Sequence, residues 1–305
     1  MAGDIERLKE LRERTGAGML DCKRALMESN GDIDAAIQKL RQWGLAAQAK
    51  RETKAATQGR IGYYPGNDGH DATRGAIVEL NCETDFVARL DVFVGLVTKL
   101  AEHMAKSGDR DADFTPEAVR AIFPVEIEDL AASTGERLVI GQGIRLVADA
   151  ARHEHIGGYL HANGNIGVLV RLRCQSAKGV QHPATATLAH DLALQIAAAS
   201  PAAPEFIARD NVTEEVRERE LEVYRARARE EKKPDNLIDK IAQGGLGKYL
   251  STICLLEQPF IREADITVKQ LIERVGKEVG EPIAVQRFVR YRVGEAKSIS
   301  AQSTR

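Results

Sequence analysis

The sequence predicts an α+β fold, in which a small helical head precedes a core of two related units with antiparallel sheets. Three observations support this prediction. Residues 1–43 carry helical patterns with no strand between them. Residues 61–200 alternate short apolar runs with helical patterns. The apolar pattern of the core also recurs after 92 residues.

Length, composition and charge narrow the class of protein. The 305 residues are enough for more than one hydrophobic core. Apolar residues make up 43% and charged residues 29%, which is typical of a folded chain with a polar surface. Lys and Arg (43) nearly balance Asp and Glu (45), and the resulting net charge of −2 argues against a protein that mainly binds bare nucleic acid.

The sequence shows no sign of export, membrane insertion or a disulfide framework. No apolar run approaches the length of a membrane span, and the acidic, helical N-terminus is unlike a signal peptide. We therefore expect a cytoplasmic protein. The cysteines are far apart and are expected to be small core residues rather than zinc ligands or disulfide partners; they are Cys22, Cys82, Cys174 and Cys254.

The head, residues 1–43, is predicted to contain three helices. Ile5 and Leu11 fall on one face of the first helix, and Asp32 is placed to cap the third. Because so small a unit buries little apolar surface, we expect it to serve in recognition. The Ala- and Lys-rich segment 44–60 has no apolar face and is predicted to be a linker that is partly helical.

The first core unit is assigned to residues 61–152. It is predicted to begin with two antiparallel strands, a polar turn and a helix, at 61–64, 75–80, 81–89 and 90–106. The turn-rich segment 65–73 joins the two strands. Separate strands are predicted further along the chain at 137–140 and 143–147.

The polar turn between strand and helix contains an unusual aromatic residue. Thr84 or Asp85 is placed to cap the free N–H groups of the first helical turn. Phe86 follows directly. Its ring is either tucked into the core as a hydrophobic staple or held outward for a partner, and turn chemistry alone favours the buried position.

The second core unit, residues 153–200 and 250–293, is interrupted by an insertion. Its strands and helices are predicted at 159–162, 167–174, 185–199, 267–279 and 283–293. The insertion, residues 201–249, is highly charged and helical, with a turn at Pro234. We expect a projecting helical hairpin of the coiled-coil or dimerisation type, and a flexible polar tail at 294–305.

The two units repeat each other at a constant offset. The matched pairs are Gly75 and Gly167, Val78 and Val170, Leu80 and Leu172, Cys82 and Cys174, Leu96 and Leu188, Leu100 and Leu192, and Met104 and Ile196. The turn does not repeat, because residues 84–86 fall on Ser176-Ala177-Lys178. A triplet that one copy of the scaffold does not need is not expected to be purely structural in the other, so both positions of the Phe86 ring stay open.

Candidate catalytic and metal sites do not survive inspection. His153-Glu154-His155 lacks the i, i+4 histidine pair of a zinc helix. Residues 244–248 resemble a phosphate loop, but they follow a helix, and Tyr249 stands where Ser or Thr should follow the lysine. A Gly-rich helix break is the simpler interpretation. We therefore predict neither an enzyme nor a bound cofactor or metal.

Two longer motifs resemble the signatures of a known family. Residues 11–26 read LRERTGAGMLDCKRAL and residues 79–89 read ELNCETDFVAR. They closely resemble the first and second signatures of bacterial translation elongation factor Ts. Shorter matches follow in the family's order at 205–207, 258–260 and 290–295. The resemblance covers residues 2–295.

This resemblance implies a guanine nucleotide exchange factor that is not itself an enzyme. Such a factor binds the GTPase elongation factor Tu and promotes release of its GDP. The head is implied to have a fold like the ubiquitin-associated (UBA) domain. The residues that match the partner-binding turn are Thr84, Asp85, Phe86 and Val87. In the family the aspartate and the phenylalanine press on the partner near its Mg²⁺ and switch region, and the phenylalanine wedges between partner histidines.

Further contacts are implied at single residues. Those that match the head's contact region are Leu11, Arg12, Met19 and Leu20. Leu11 and Leu20 are equally compatible with the core. His161 matches a Tyr-x-His at the interface of the second unit, with a structural role as the alternative. Some members carry a C-terminal helical module that grips the partner; ten residues follow Glu295 here, so we expect that contact to be absent or reduced.

The competing class is a ribosome- or RNA-associated module that uses the basic segment 48–60. Near-neutral charge and the lack of clustered aromatic residues argue against it. We therefore expect elongation factor Tu as the partner, with no direct nucleic-acid or membrane contact. The resemblance is compatible with a homodimer or with a heterotetramer formed with the partner.

Overall fold

The computed structural model describes residues 2–15, 17, 19–50, 56–65, 73–295 and 298–299. The predicted α+β class is confirmed in these ranges. The helices are α1 (Ala2–Thr15), α2 (Met19–Glu28), α3 (Ile33–Lys50), α4 (Asp85–Ala88), α5 (Asp91–Lys106), α6 (Pro116–Arg120), α7 (Pro124–Thr134), α8 (Ala177–Gln181), α9 (Pro183–Ala198), α10 (Glu214–Glu230), α11 (Asp235–Ile253) and α12 (Val268–Val279). The strands are β1 (Gln58–Tyr64), β2 (Arg74–Cys82), β3 (Ala112–Phe114), β4 (Val139–Val147), β5 (Glu154–Leu160), β6 (Ile166–Arg173), β7 (Pro259–Phe260), β8 (Glu263–Thr267), β9 (Ala284–Arg292) and β10 (Ser298–Ile299).

The three helices of the head pack around a small apolar core. Its buried side chains are Leu11, Ala17, Cys22, Ala25, Leu26, Ala36 and Leu40. The Asp32 carboxylate accepts a hydrogen bond from the backbone N–H of Ala35 (2.9 Å), so the predicted cap of α3 is confirmed. Helix α3 continues through Lys50, and the first part of the segment 44–60 is therefore helical. Residues 51–55 lie outside the described part of the chain, as does the side chain of Ile5.

Two antiparallel sheets form the core. The first has the strand order β1-β2-β4-β3 and the second β10-β9-β6-β5. Helix α5 packs on one face of the first sheet, and helices α9 and α12 pack on one face of the second. The other faces meet through a buried apolar layer, which contains Ile61, Ile77, Ile144, Leu146, Ile156, Leu169, Val289 and Tyr291.

The predicted repeat of two α+β subdomains is confirmed by these sheets. Strands β2 and β6 follow the offset of 92 residues, so that Ile77 corresponds to Leu169. Strands β4 and β9 are 145 residues apart, because the second copy contains the inserted hairpin, and Ile144 corresponds to Val289. All four side chains lie in the layer between the sheets. The copies therefore bury equivalent positions against each other, while the unit boundaries given above stay predictions.

A nearly buried ionic contact also joins the two copies. The carboxylate of Asp111, just before β3, accepts hydrogen bonds from the guanidinium of Arg171 on β6 and from that of Arg287 on β9 (2.9 Å). It also accepts one from the backbone N–H of Val147 (2.9 Å). Because both guanidinium groups are largely removed from water, this carboxylate compensates charge that would otherwise be costly to bury.

The inserted hairpin consists of α10 and α11, joined by a turn at residues 231–234. The expected helix break at 244–248 is wrong, since these residues lie inside α11. A Cβ atom on Gly245 would overlap the ring of Tyr224 on α10. The glycine therefore allows the two helices to approach closely, and it does not end a helix.

The strands predicted at 137–140 and 143–147 are one strand, β4, so that prediction is wrong. Strand β2 pairs along it, with a register shift between Val78 and Leu80. A Cβ atom on Gly143 would overlap the end of the Met104 side chain, so packing explains this glycine. Of the turn predicted at 65–73, residues 66–72 lie outside the described part.

The closing segment and the cysteines complete the picture of the core. Within the predicted tail, Ser298 and Ile299 pair with β9, whereas residues 296–297 and 300–305 lie outside the described part. All four cysteines are buried with free thiols, as expected of small core residues. None of the helices in the described ranges has the length and apolar character that a membrane crossing requires.

Candidate functional site

The candidate site is the turn that leads from β2 into α4. Thr84 is the N-cap of α4, and its hydroxyl accepts a hydrogen bond from the backbone N–H of Val87 (3.4 Å). The Cys82 thiol donates to the carbonyl of Thr84 (3.1 Å). Burial raises the pKa of this thiol to about 12, so it stays protonated and serves the fold. Leu90 is the N-cap of a separate helix, α5, so the turn predicted at 81–89 contains a short helix of its own before the helix predicted at 90–106.

A carboxylate from a distant part of the chain holds the same turn. Glu136 follows the C-cap of α7, where Gly135 has a φ of 66°. One Glu136 oxygen accepts from the backbone N–H groups of Glu83 (3.0 Å) and Thr84 (3.1 Å), and the other accepts from the Thr84 hydroxyl (2.5 Å). Sequence reasoning missed this residue, because no local pattern connects it to a turn 52 positions earlier.

The turn places Phe86 in solvent. Its side chain is 77% exposed, so the hydrophobic-staple interpretation is wrong. Asp85 does not cap the helix. It pairs instead with Arg89 one helical turn later (2.7 Å). Val87 is buried against the core, and the turn therefore presents one aromatic ring above a packed apolar base.

Val87, the residue after Phe86, lines an open groove of about 970 Å³ between the head and the first core unit. Its lining includes Thr15 at the end of α1 and Leu90, Val92 and Lys99 on the core side. The head is held there by a bidentate ion pair from Arg41 on α3 to Asp129 on α7, with distances of 2.8 and 3.2 Å. The turn, through Val87, and the head, through Thr15, therefore border the same groove.

The predicted contact residues of the head divide between core and surface. Leu11 is fully buried and offers no surface to a partner, whereas Leu20 is 82% exposed. Arg12 is also exposed, and Met19 is 55% exposed. Met27, which is 70% exposed, was not predicted; its i, i+7 spacing from Leu20 on α2 could have revealed it. Met19, Leu20, Lys23 and Met27 help to line a second groove of about 670 Å³.

His161 lies at the end of β5 on the second core unit. The Tyr159 hydroxyl is 3.1 Å from its Nδ1 atom, and the Tyr159 ring also packs edge-on against His190. Both histidines are exposed. His161 is therefore available at the surface, and His190 is an additional neighbour that the sequence did not single out.

The histidine cluster at 153–155 is engaged in the fold. The Glu154 carboxylate binds Arg173 (3.1 Å) and the backbone N–H of Asp149 (3.0 Å). His155 is buried, and burial lowers its pKa because the charged imidazolium loses hydration. In the described part of the chain, no group of three or more His, Cys, Asp and Glu side chains is arranged to hold a metal ion.

The short motif at 258–260 supports the root of the hairpin. Gln258 is fully buried, and its amide nitrogen donates to the carbonyls of Ala202 (2.9 Å) and Thr252 (2.6 Å). Its amide oxygen accepts from Gln195 on α9 (3.2 Å). Phe260 packs into the core of the second unit. The structure gives this motif a role in the scaffold.

Known proteins resemble this chain over nearly its whole length. The family model described as "Elongation factor TS" matches residues 83–295, a region that includes the turn and the hairpin. Elongation factor Ts of Nitratidesulfovibrio vulgaris is 42% identical over 295 residues, which cover 97% of each chain. The protein of the same name from Desulfovibrio desulfuricans is 42% identical over 283 residues, covering 93% of this chain and 95% of that protein. That from Clostridium perfringens is 39% identical over 298 residues, covering 94% and 92%.

Proposed function

Because this chain belongs to the elongation factor Ts family, we propose that it binds elongation factor Tu and promotes the release of GDP from that GTPase, so that GTP can load. The observation that carries the proposal is the 77% exposed ring of Phe86 on a turn held by hydrogen bonds. A large apolar side chain on such a turn is expected to be buried by a partner.

The proposed mechanism acts on the metal and phosphate site of the partner. Bound GDP is held by phosphate contacts and Mg²⁺ together. Asp85 and Phe86 would press on the partner near this site, with Thr84 and Val87 supporting them from the turn. Moving the groups that position the metal weakens its contacts and those of the phosphates at the same time.

Thermodynamic linkage determines how much binding free energy the interface has to contribute to weaken GDP binding. The factor lowers the partner's affinity for GDP by the same ratio by which GDP lowers its affinity for the factor. Burying one phenylalanine contributes about 1.5–3 kcal/mol, which corresponds to one or two decades in affinity. Phe86 therefore needs further contacts that favour the nucleotide-free partner.

We propose that these further contacts come from the head and from the second core unit. On the head the exposed candidates are Arg12, Met19 and Leu20, and on the second unit the candidate is His161. Leu11 would act indirectly, by holding the head together. In this scheme the chain makes and breaks no covalent bond, and the GTPase partner performs the chemistry.

The test is the rate of GDP release from elongation factor Tu in the presence of Phe86→Ala. We expect that the variant still binds the partner and that GDP release is roughly tenfold slower than with the unchanged chain. Thermal unfolding should stay the same, because removing a 77% exposed ring leaves no cavity in the core. Stopped-flow fluorescence of a labelled GDP measures the rate.

A control variant distinguishes the proposed contact of the Phe86 ring with the partner from a general loss of exposed apolar surface. Val223, on α10 of the hairpin, is also exposed, and Val223→Ala should leave GDP release unchanged. An unchanged rate of GDP release with Phe86→Ala would show that the Phe86 ring does not act in nucleotide exchange. If the unchanged chain itself did not accelerate release, the proposed function would be wrong.

A further inference from the structure

We propose that Glu136 is a positioning residue for nucleotide exchange, because its carboxylate holds the turn that carries Phe86. This inference rests on the proposed function and adds to it a residue far from the turn in sequence. The hydrogen bonds of Glu136 go to the two residues that precede Asp85 and Phe86. Its effect passes through the backbone of Glu83 and Thr84 and through the Thr84 hydroxyl.

The hydrogen bonds of Glu136 determine the direction of the turn. They engage two consecutive backbone N–H groups and the hydroxyl of Thr84. The same hydroxyl accepts from the N–H of Val87 and so begins α4. In return, the Glu83 carboxylate accepts from the backbone N–H of Arg137 (2.9 Å). The two segments are thus connected in both directions by charge-assisted hydrogen bonds, which are stronger than neutral ones.

Phe86 lies between two held parts of the backbone, because Glu136 binds the residues before it and the side chains of Val87 and Ala88 are buried after it. Helix α4 has only four residues, and an isolated helix of that length is not stable in water. The ring is mostly in solvent and does not lock itself by packing. The backbone direction at Thr84, together with the burial of Val87 and Ala88, therefore determines where the ring points.

The second copy of the unit contains the same arrangement without the aromatic residue. Glu281 accepts from the backbone N–H groups of Gln175 (3.0 Å) and Ser176 (3.1 Å) and from the Ser176 hydroxyl (2.7 Å). It follows Gly280, just as Glu136 follows a left-handed glycine. Lys178 stands where the first copy has Phe86. The carboxylate is thus part of the scaffold in both copies.

One difference indicates that the first copy is held more firmly. Pro282 follows Glu281 at the position where Arg137 follows Glu136. Proline has no N–H group, so the second copy cannot make the return hydrogen bond that Arg137 donates to Glu83. The additional hydrogen bond occurs in the copy whose turn carries the exposed ring.

The experiment compares Glu136→Gln with the matched control Glu281→Gln. Thermal unfolding of each full-length variant is measured, and stopped-flow release of labelled GDP from elongation factor Tu is followed over a range of factor concentrations. We expect both variants to lose similar stability. Only Glu136→Gln should lower the maximal release rate, by roughly tenfold, with a smaller change in the concentration at half-maximal rate. A purely structural role would affect both variants alike.

Equal maximal release rates for the two folded variants would overturn the positioning role. If Glu136→Gln does not fold, Thr84→Ala and Ser176→Ala provide the second pair, because each removes the hydroxyl that donates to the carboxylate. Slower release with Thr84→Ala alone supports the proposal, and equal release with both contradicts it. A failure of the unchanged chain to accelerate release would instead count against the proposed function, so the two failures are distinguishable.

Discussion

The two copies of the core unit carry the same carboxylate-held turn, but the contents of the turns differ. In the first copy Thr84 caps α4, and in the second Ser176 caps α8. Asp85 and Phe86 follow in one, and Ala177 and Lys178 follow in the other. Because both copies have them, the capping residue and the distant carboxylate belong to the scaffold. The candidate function resides in the two residues that the scaffold places after the cap.

The copies also differ in the connection between the long helix and the last helix. In the first copy residues 107–123 contain β3 and supply Asp111 to the contact between copies. In the second copy residues 199–267 contain the helical hairpin. One fold thus accepts a short connector, which adds the edge strand β3 to its sheet, or a long projecting one at the same place.

The largest expected loss of stability comes from the contact between the long helix and the outer strand of each copy, α5 with β1 and α9 with β5. Gly62 on β1 and Gly157 on β5 occupy corresponding positions. A methyl group on Gly62 would overlap the backbone carbonyl of Val97, and one on Gly157 would overlap the Cβ atom of Ala189. We expect each Ala substitution to lower the free energy of unfolding by about 3 kcal/mol, as measured by urea denaturation.

The two substitutions would overlap different kinds of atom, a backbone oxygen in the first copy and a side-chain Cβ in the second, and double variants distinguish them. Adding Ala189→Gly to Gly157→Ala removes the overlapping atom, so the loss should fall to about 1 kcal/mol, the cost of a glycine in a helix. Adding Val97→Gly to Gly62→Ala should recover nothing, because the overlapped atom belongs to the backbone. Equal recovery in both copies would contradict the described packing.

The next effect concerns the contact that only the first copy supplies. Asp111→Asn removes the negative charge that binds Arg171 and Arg287 in the ionic contact between the two copies. Since the guanidinium groups stay largely buried, we expect the free energy of unfolding to fall by about 2 kcal/mol. The matched control is Asp109→Asn. The Asp109 carboxylate is exposed to solvent and forms a long ion pair of 3.7 Å with Arg74, so its loss should change the free energy of unfolding by less than about 0.5 kcal/mol. Similar losses of unfolding free energy for both variants would contradict a largely buried ionic contact at Asp111.

The smallest effect concerns pH. His155 on β5 corresponds to Arg60 on β1, so only the second copy has a titrating group at this position. Burial lowers the pKa of His155 below 6.5, and the folded state therefore binds fewer protons than the unfolded state. Its contribution to stability is complete above about pH 6.5 and is lost as the pH falls toward the lowered pKa.

The variant His155→Leu should remove this component of the pH dependence. We expect the unfolding free energy of the unchanged chain to fall more between pH 7.5 and 5.5 than that of the variant, as measured by urea denaturation at each pH. Parallel curves for the two proteins would show that His155 does not contribute.

Much of this architecture follows from local patterns. The helices of the head, the hairpin and the strands that border the turn have periodic apolar residues, and the cap at Asp32 uses residues close together in the chain. The repeat is visible because equivalent core positions carry similar apolar residues. Local patterns do not reveal the role of Gly245, because a glycine at a helix–helix contact has the same appearance in sequence as a glycine at a helix end.

The sequence by itself determined the helices of the head, the strand before the turn and the long helix after it, the repeat and the family, since each of these depends on contiguous residues or on a constant spacing. The tertiary structure decided that Phe86 faces solvent and that Leu11 is buried. It also decided that Glu136 holds the turn. The physical reason is that burial and long-range hydrogen bonds depend on which distant segments meet, and packing of the two copies brings those segments together.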